Sequence, residues 1–224
     1  GRPILGLSSR ELAELVFSID KKNTIITCHI WTPWFSLYGS KSGYDRIVDC
    51  FGEYAKYIFA VETGLSSDPS MNWRINELES RSIVSFSDAH SLEKMGREAT
   101  VLHLKQNGMT NTKWQMPNNP IKLKDITYSN ILNGLVKGKE RVFELAYTIE
   151  FYPEEGKYHY TGHRNCGIIQ TPEDTKKIGD ICPVCRRQLT VGVMHRVDEL
   201  SNLREANFSH AKDAQGTIWL KDKK

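Results

Sequence analysis

The chain has 224 residues, of which 39% are hydrophobic, and its formal net charge is +3. This composition can build a globular core. The sequence has neither an 18-residue apolar run nor a signal-peptide pattern, so it gives no reason to expect a membrane or secreted protein. We expect a soluble cytoplasmic protein. The five cysteines are an odd number, and three lie within residues 166–185, which favours metal binding in a reducing compartment over disulfides.

The first half alternates predicted helices and strands. Ser8 and Glu11 have the spacing of a capping box, and the apolar residues that follow recur on one helical face at Leu12, Leu15, Val16 and Ile19. The next predicted elements are a strand over 24–28, a loop over 30–43, a helix over 45–56, a strand over 57–61, a helix from Asp68 toward Leu78, and a strand over 83–86. This order predicts the α/β class, with a parallel sheet and right-handed crossovers.

The second half begins after a predicted linker over 106–120, which is rich in Asn, Thr, Gly and Pro. We therefore divide the chain into domains over residues 1–110 and 121–203 and a loose tail over 204–224. Within the second domain, the pattern predicts a short helix over 131–136. It also predicts a hairpin that joins 142–152 to 158–160 across the turn at 153–156.

Two pairs of potential zinc ligands share the same two-residue spacer, and they are His163 with Cys166 and Cys182 with Cys185. Two such pairs complete a tetrahedral site with no open position, which is typical of structural zinc. His159 lies four residues before His163 and is the competing nitrogen ligand. His195 is farther away, so we expect it to lie on the surface or face DNA.

Four further potential ligands follow predicted strands, and they are His29, Glu62, Asp88 and His90. The carboxyl ends of parallel strands gather at one edge of a sheet, so these side chains are expected to lie close together. Nitrogen and oxygen ligands suit divalent Zn²⁺, Mn²⁺ or Fe²⁺ and the activation of water against a phosphate ester. We predict that Asp88 and His90 are catalytic, whereas His29 alone is equally well explained as a core histidine.

Several neighbouring residues have both a structural and a functional interpretation. Ser87 is placed to orient the metal site by hydrogen bonding. The aromatic residues Trp31, Trp34 and Phe35 can stack a base, but aromatics in a loop after a strand are more often packed on the core, and we favour that interpretation. Arg74 can hold a phosphate, although a surface position on a helix explains it better.

The motifs around these ligands resemble those of a known family. They are Cys-His-Ile-Trp-Thr-Pro-Trp-Phe at 28–35, Val-Glu-Thr-Gly-Leu-Ser-Ser-Asp at 61–68 and Ser-Asp-Ala-His-Ser at 87–91, and with them residues 1–104 resemble the later part of a PHP (polymerase and histidinol phosphatase) domain. Joined to Gly-His-Arg-Asn-Cys at 162–166, Cys-Pro-Val-Cys-Arg-Arg at 182–187 and Leu-Thr-Val-Gly-Val-Met-His-Arg-Val at 189–197, the chain resembles endonuclease Q to about Leu203.

The resemblance implies the carboxy-terminal part of a distorted β/α (PHP-type) barrel followed by a small zinc-ribbon-like domain, with Zn²⁺, Mn²⁺ or Mg²⁺ at the catalytic site. It also implies DNA-repair cleavage on the 5′ side of deaminated bases or abasic sites. PHP domains open with a His-x-His strand, and none precedes His29. We therefore expect a longer or split gene product to supply that part. The turn that carries Cys182 and Cys185 is called the knuckle below. The family has glycine directly after the second of these cysteines, whereas this chain has Arg186, which is tolerable if its φ is not positive.

Two functions compete with the lesion-directed endonuclease. The first is a non-catalytic zinc-dependent module that binds nucleic acid. The basic surplus of the chain lies in its second half, so we assign phosphate contacts to Arg186, Arg187 and Arg196, with Lys176 and Lys177 as further candidates. The second is a PHP-type phosphatase of small molecules, against which the zinc segment argues. Whether the chain is itself an enzyme stays open, because half of the expected metal site is missing.

Overall fold

The computed structural model describes residues 5–104, 121–136, 142–201, 205–214 and 217–222. The helices are α1 (Ser9–Ile19), α2 (Ile47–Phe51), α3 (Pro69–Asn72), α4 (Tyr128–Leu135), α5 (Pro172–Ile178) and α6 (Val193–Leu200). The strands are β1 (Ala60–Glu62), β2 (Ser82–Val84), β3 (Ala99–Leu104), β4 (Phe143–Ile149), β5 (Thr161–His163), β6 (Ile168–Gln170), β7 (Phe208–Lys212) and β8 (Ile218–Asp222). The α/β class is confirmed. None of the described helices is long and apolar enough to cross a membrane.

Helix α1 begins with the predicted capping box. The Ser8 hydroxyl accepts a hydrogen bond from the Glu11 amide, and the Glu11 carboxylate accepts one from the Ser8 amide. The apolar face that the periodicity defines is largely exposed, because 49% of Leu15 and 74% of Ile19 remain accessible. The helix contacts the core mainly through Ala13.

Residues 24–28, which were predicted to form a strand, run beside β1 with a single bridge. Thr27 pairs with Val61 in the parallel direction, and the Glu62 amide donates to the Thr27 carbonyl at 2.9 Å. On its other side β1 pairs with β2, where Val61 lies opposite Ile83, again in parallel. Three parallel segments therefore end at one edge, as the alternation of elements predicted.

The helices between these segments are shorter than predicted. The helix expected over 45–56 occurs as α2 followed by a 3-10 helix over Gly52–Tyr57, so β1 starts three residues later than expected. The helix expected after Asp68 occurs as α3, followed by a 3-10 helix over Asn76–Leu78. The helix expected over 131–136 occurs as α4 and starts earlier.

The loop after His29 closes over the main hydrophobic core. Trp31 and Tyr38 are fully buried with ring centroids 4.9 Å apart, and the Trp31 indole donates to Asn72 Oδ1 at 2.9 Å. The core interpretation is thus confirmed for Trp31. It is wrong for Phe35, which is 89% exposed.

Helix α6 packs against the first half of the chain. Val193 and Val197 belong to the same hydrophobic cluster as Trp31. Arg74, just after α3, is mostly buried and forms an ion pair with Asp198 of α6 at 2.6 Å. Its guanidinium therefore links these two parts of the chain and is not presented to a phosphate. The division into domains over 1–110 and 121–203 stays a prediction.

Strand β3 was not predicted, and the expected hairpin of 142–152 with 158–160 is wrong. Strand β4 pairs instead with β3, with Ala99 opposite Ile149 and Leu104 opposite Phe143. The turn residues at 153–156 close a local 3-10 turn over Pro153–Glu155 instead of a hairpin. The proposed linker over 106–120 lies outside the described residues.

The segment over 204–224, which was expected to be a loose tail, contains an antiparallel hairpin in its described part. Strand β7 pairs with β8, with His210 opposite Leu220. Aromatic contacts attach this hairpin to the rest of the chain: Phe208 lies 6.1 Å from Trp73, and Trp219 lies 5.3 Å from Tyr147 between ring centroids. The polar composition of the segment hid this pairing.

Candidate functional site

One His/Cys group in the described part of the chain could hold a metal ion, and its members are His163, Cys166, Cys182 and Cys185. Their ligand atoms all lie within 4.8 Å of one another, and Cys185 Sγ is 3.3 Å from His163 Nδ1. Nitrogen and sulfur ligands of a tetrahedral zinc lie roughly 3.5 Å apart, given bond lengths of about 2.0 and 2.3 Å. The four donors therefore fit a zinc ion with no open position.

The two ligand pairs end in similar backbone turns. Cys166 is followed by Gly167 at φ +66°, and Cys185 is followed by Arg186 at φ +62°. The condition that Arg186 avoids positive φ is therefore not met. Because a side chain in the left-handed region costs about 1–2 kcal/mol, this arginine strains a turn that suits glycine.

The thiols of the group affect one another's protonation. Burial raises the pKa of Cys166, and the neighbouring Cys185 and Cys182 thiols raise it further. Burial also opposes ionisation of Cys182, but the Cys185 amide, the His163 ring and the Val184 amide together lower the pKa of the Cys182 thiol. Adjacent thiolates need a cation to coexist, which a bound zinc supplies.

The other two histidines of this region are engaged elsewhere. His159, the competing ligand, is buried with Nδ1 3.1 Å from the Ser66 carbonyl oxygen and is not a member of the His/Cys group. The expectation that His195 faces solvent or DNA is wrong, because it is only 9% exposed and lies 3.3 Å from Glu199. Its place on α6, against the core, explains the burial.

At the edge where the parallel segments end, Glu62 is buried and serves as a backbone anchor. Its carboxylate accepts hydrogen bonds from the amides of His29 and Gly64, the latter at 3.0 Å. Burial raises the pKa of Glu62, and these hydrogen bonds limit the increase. One carboxylate therefore fixes the backbone at His29 and at Gly64.

His29 sits beside this anchor in an unusual backbone conformation, with φ +32°. Its Nδ1 lies 3.9 Å from Glu62 Oε2. The pKa of His29 is raised, first by its contact with the Cys28 thiol and further by the charges of Glu62 and Asp88. Asp88 belongs to the turn that follows β2, the strand that pairs with β1 in parallel.

Asp88 and His90 lie on that turn and are exposed, and Asp88 also has positive φ, at +44°. His90 Nδ1 is 2.8 Å from the Asp88 carbonyl oxygen and 3.9 Å from its carboxylate. Backbone strain of this kind clusters at functional sites. The structure brings His29, Glu62, Asp88 and His90 to one edge, but within the described ranges they do not form a group whose ligand atoms all lie within 4.8 Å.

Ser87 contributes a different contact from the one expected, since its carbonyl oxygen accepts a hydrogen bond from Arg97 Nε at 2.8 Å. Two acidic residues near this edge were missed altogether. Glu98 precedes β3, and Glu150 follows β4. Mainly because of burial, the pKa of Glu98 is raised to about 7 and that of Glu150 to about 8. Only the β3–β4 register reveals that they face each other.

The arginines assigned to nucleic acid differ in their surroundings. Arg186 and Arg187 are exposed on the knuckle. Arg196 donates to the carbonyl of Tyr38 at 3.2 Å and pairs with Asp45 at 2.5 Å, with 15% of its side chain exposed. Arg196 therefore joins α6 to the loop after His29, and the assignment of Arg186 and Arg187 to phosphates stays a prediction.

No family model matches the chain. Among curated proteins, it is 32% identical over 186 residues to the uncharacterized protein MJ0043 of Methanocaldococcus jannaschii, covering 82% of this chain and 20% of that protein. It is 30% identical over 207 residues to the uncharacterized protein YqxK of Bacillus subtilis, covering 89% of this chain and 46% of that protein. The chain therefore spans less than half the length of these relatives.

Two solved structures are similar as well. One is the lesion-specific endonuclease PfuEndoQ of Pyrococcus furiosus, with a TM-score of 0.66, 28% identity and coverage of 89% of this chain and 43% of that one. The other is endonuclease Q in complex with a 27-mer duplex substrate that has an abasic lesion at the active site, with a TM-score of 0.68, 29% identity and coverage of 89% and 44%. The resemblance to endonuclease Q is confirmed.

The likeness to endonuclease Q covers 89% of the chain. It agrees with the α/β class and with a metal-binding group in the second half. The PHP-type barrel and the zinc-ribbon assignment stay predictions.

Proposed function

We propose that this chain belongs to a metal-dependent DNA-repair endonuclease that cuts on the 5′ side of deaminated bases or abasic sites. The observation that carries the proposal is the structural similarity to endonuclease Q, one of whose structures holds a duplex with an abasic lesion. The chain adds to this a strand edge with acidic and histidine side chains and a separate His/Cys group.

Divalent cations at the strand edge would be held by Asp88 and His90, with His29 and Glu62 beside them. When bound, such cations activate water and neutralise charge that develops on a phosphate. Asp88 and His90 are accessible to a DNA backbone, with 53% and 71% of their side chains exposed. Glu62, buried and hydrogen-bonded to the amides of His29 and Gly64, fixes where His29 stands.

Contacts to DNA would come from two surfaces. Arg186 and Arg187 on the knuckle can bind phosphates. Phe35 projects from the loop after His29 with its ring 89% exposed, which suits stacking on a base or filling the gap at an abasic site. Deaminated-base and abasic-site DNA are thus the partners that we propose.

A second function, a zinc-dependent module that binds DNA without cutting it, is favoured by one observation. The His/Cys group is closed, whereas the described ligands at the strand edge are not gathered around one point. In this case Asp88 and His90 would have no role in the interaction with DNA.

The deciding experiment is cleavage of a labelled duplex that contains one deoxyuridine or one abasic site, in Mg²⁺, Mn²⁺ or Zn²⁺. We expect no cutting by the 224-residue chain and cutting 5′ to the lesion by a version extended upstream to include a His-x-His strand. Asp88→Ala in that version should abolish cutting and leave zinc content unchanged. Cutting by Asp88→Ala at the unmodified rate would remove the strand edge from the mechanism, and binding without any cutting would favour the second function.

A further inference from the structure

Glu98, which is buried, and Glu150, which is partly buried, face each other across the β3–β4 ladder. Glu98 immediately precedes Ala99, and Glu150 immediately follows Ile149, and those two strand residues are paired in the antiparallel register. The register therefore places Glu98 opposite Glu150, with Cβ atoms about 5 Å apart. Like charges directly opposite each other destabilise a ladder. Glu98 is only 2% exposed, so solvent does not screen this pair.

In each carboxyl group, one oxygen accepts a hydrogen bond and the other accepts none among the described residues. Glu98 Oε1 accepts from the Phe151 amide at 3.2 Å, and Glu150 Oε2 accepts from the Thr63 hydroxyl at 3.1 Å. Glu98 Oε2 and Glu150 Oε1 are buried without a hydrogen-bond partner in the part of the chain that the structure describes. Buried oxygens in this state cost free energy unless something binds them.

The side chain of Ser85 supplies a third such oxygen. Ser85 is fully buried, and its Oγ also has no hydrogen-bond partner among the described residues. Ser85 nevertheless lies beside the pair, because it contacts Thr100, which is two residues after Glu98 and on the same face of the strand. The Thr100 hydroxyl holds the Ser85 backbone on both sides, accepting from its amide at 2.9 Å and donating to its carbonyl at 2.8 Å.

We propose that Glu98, Glu150 and Ser85 bind a hard divalent cation, of the Ca²⁺ or Mg²⁺ class, in a buried site beside the strand edge. The three unpartnered atoms are all oxygens, which these cations prefer. Oxygens that share a cation at about 2.4 Å lie roughly 3.4 Å apart, too far for good hydrogen bonds among themselves, which agrees with the lack of hydrogen bonds at these three atoms among the described residues.

Charge supports the same assignment. The negative charge of Glu62 raises the pKa of Glu98, and the Arg97 cation lowers it but forms no ion pair with Glu98 in the described ranges. A divalent cation neutralises both carboxylates of the pair at once. This site stands apart from the proposed nuclease function, since it uses none of His29, Asp88 or His90.

The test counts bound cations in the Asp88→Ala/His90→Ala double variant, which removes competing ligands at the strand edge. Ca²⁺ and Mn²⁺ are titrated calorimetrically into the cation-free protein, and zinc is measured in the same samples. We expect one Ca²⁺ or Mn²⁺ per chain. Glu98→Gln and Glu150→Gln should each weaken that binding at least tenfold, whereas Glu155→Gln, at an exposed position on the following turn, should not.

Absence of Ca²⁺ and Mn²⁺ binding in the double variant would overturn the proposal, as would unchanged affinity in both glutamine variants; the pair then holds only a shared proton. Should the glutamine variants fail to fold, paramagnetic broadening by Mn²⁺ decides in the Asp88→Ala/His90→Ala double variant with both glutamates intact. The amide signals of Ser85 and Phe151 must broaden before that of Cys185. Equal broadening of all three would also overturn the site.

Discussion

Gly64 lies so close to His29 that a Cβ added at residue 64 would stand 2.6 Å from the His29 Cβ. The contact comes from two backbone conformations that are both left-handed, φ +70° at Gly64 and φ +32° at His29. Glu62 holds both residues by accepting their amide hydrogens. The position of His29 at the strand edge therefore depends on the absence of a side chain at residue 64.

Gly64→Ala should displace His29 and lower the melting temperature more than a glycine substitution without a contact. Gly96→Ala is the matched control, because Gly96 has φ +75° and a Cβ there would meet nothing within 4 Å. The control should lower the free energy of unfolding by about 1–2 kcal/mol, because of its positive φ alone. Gly64→Ala should lower it by about 1–3 kcal/mol more, because of the contact with His29. Equal melting temperatures for the two variants would show that the loop yields without strain.

Zinc content should follow the His/Cys group alone. We expect one tightly bound zinc per chain, lost in Cys182→Ser together with a lower melting temperature, because a structural zinc stabilises the fold that binds it. Cys28→Ser is the control, since Cys28 is exposed and outside the group. Elemental analysis after mild chelation measures the effect. Full zinc content in Cys182→Ser would show that the four donors do not act together.

The two types of arginine should respond differently to substitution. Arg186→Ala combined with Arg187→Ala should reduce the salt dependence of DNA binding by up to about 1.8 in log Kd against log salt, because each phosphate contact contributes about 0.9. Arg196→Ala should leave that slope unchanged and reduce thermal stability, since its guanidinium holds Tyr38 and Asp45. Binding to a labelled duplex from 50 to 200 mM salt gives the slopes. The reverse pattern would move the DNA surface to α6.

The stability of the cation-free chain should fall as pH rises from about 5 to 8.5. The pKa values of Glu98 and Glu150 are raised to about 7 and about 8, so the folded chain binds more protons than the unfolded chain above pH 4.5. The stabilisation is complete below the unfolded pKa and is lost as pH passes the folded values. Urea unfolding across this range should show a shallower fall in Glu98→Gln/Glu150→Gln. If the free energy of unfolding changed with pH equally in the variant and in the unmodified chain, Glu98 and Glu150 would not be the source of the pH dependence.

Local patterns in the sequence predicted the structural features that involve residues close together along the chain. The capping box of Ser8 with Glu11 and the two pairs of zinc-type ligands are short-range relationships, and both occur in the structure as the spacing suggested. The strand-end positions of His29 and Glu62 followed from the alternation of elements, because parallel segments must end at one edge.

Features that depend on distant pairing were not predictable in the same way. The partner of β4 lies some forty residues earlier along the chain, so the turn at 153–156 suggested a local hairpin that does not form. The same pairing brings Glu98 and Glu150 together, which no spacing in the sequence indicates. Likewise, Arg196 looked like a surface cation until α6 was seen to pack on the loop that contains Tyr38.

Phe35 carries its exposed side chain on a constrained loop. Its φ is +57°, and its amide donates to the Ser42 hydroxyl at 2.8 Å, so the backbone fixes the direction of the side chain. Stacking on a nucleic-acid base is worth about 1–3 kcal/mol, so Phe35→Ala should weaken binding to an abasic duplex roughly tenfold, and Phe35→Trp should not.

Leu92→Ala is the control for that substitution, because Leu92 is similarly exposed, at 85%, on the turn that follows His90. Fluorescence anisotropy with abasic and intact duplexes of the same sequence separates lesion recognition from general affinity. A ring that fills the gap left by a missing base should matter more for the abasic duplex. If Phe35→Ala weakened both duplexes equally, the ring would contribute only to non-specific contact, and if it weakened neither, the DNA would lie away from the loop that follows His29.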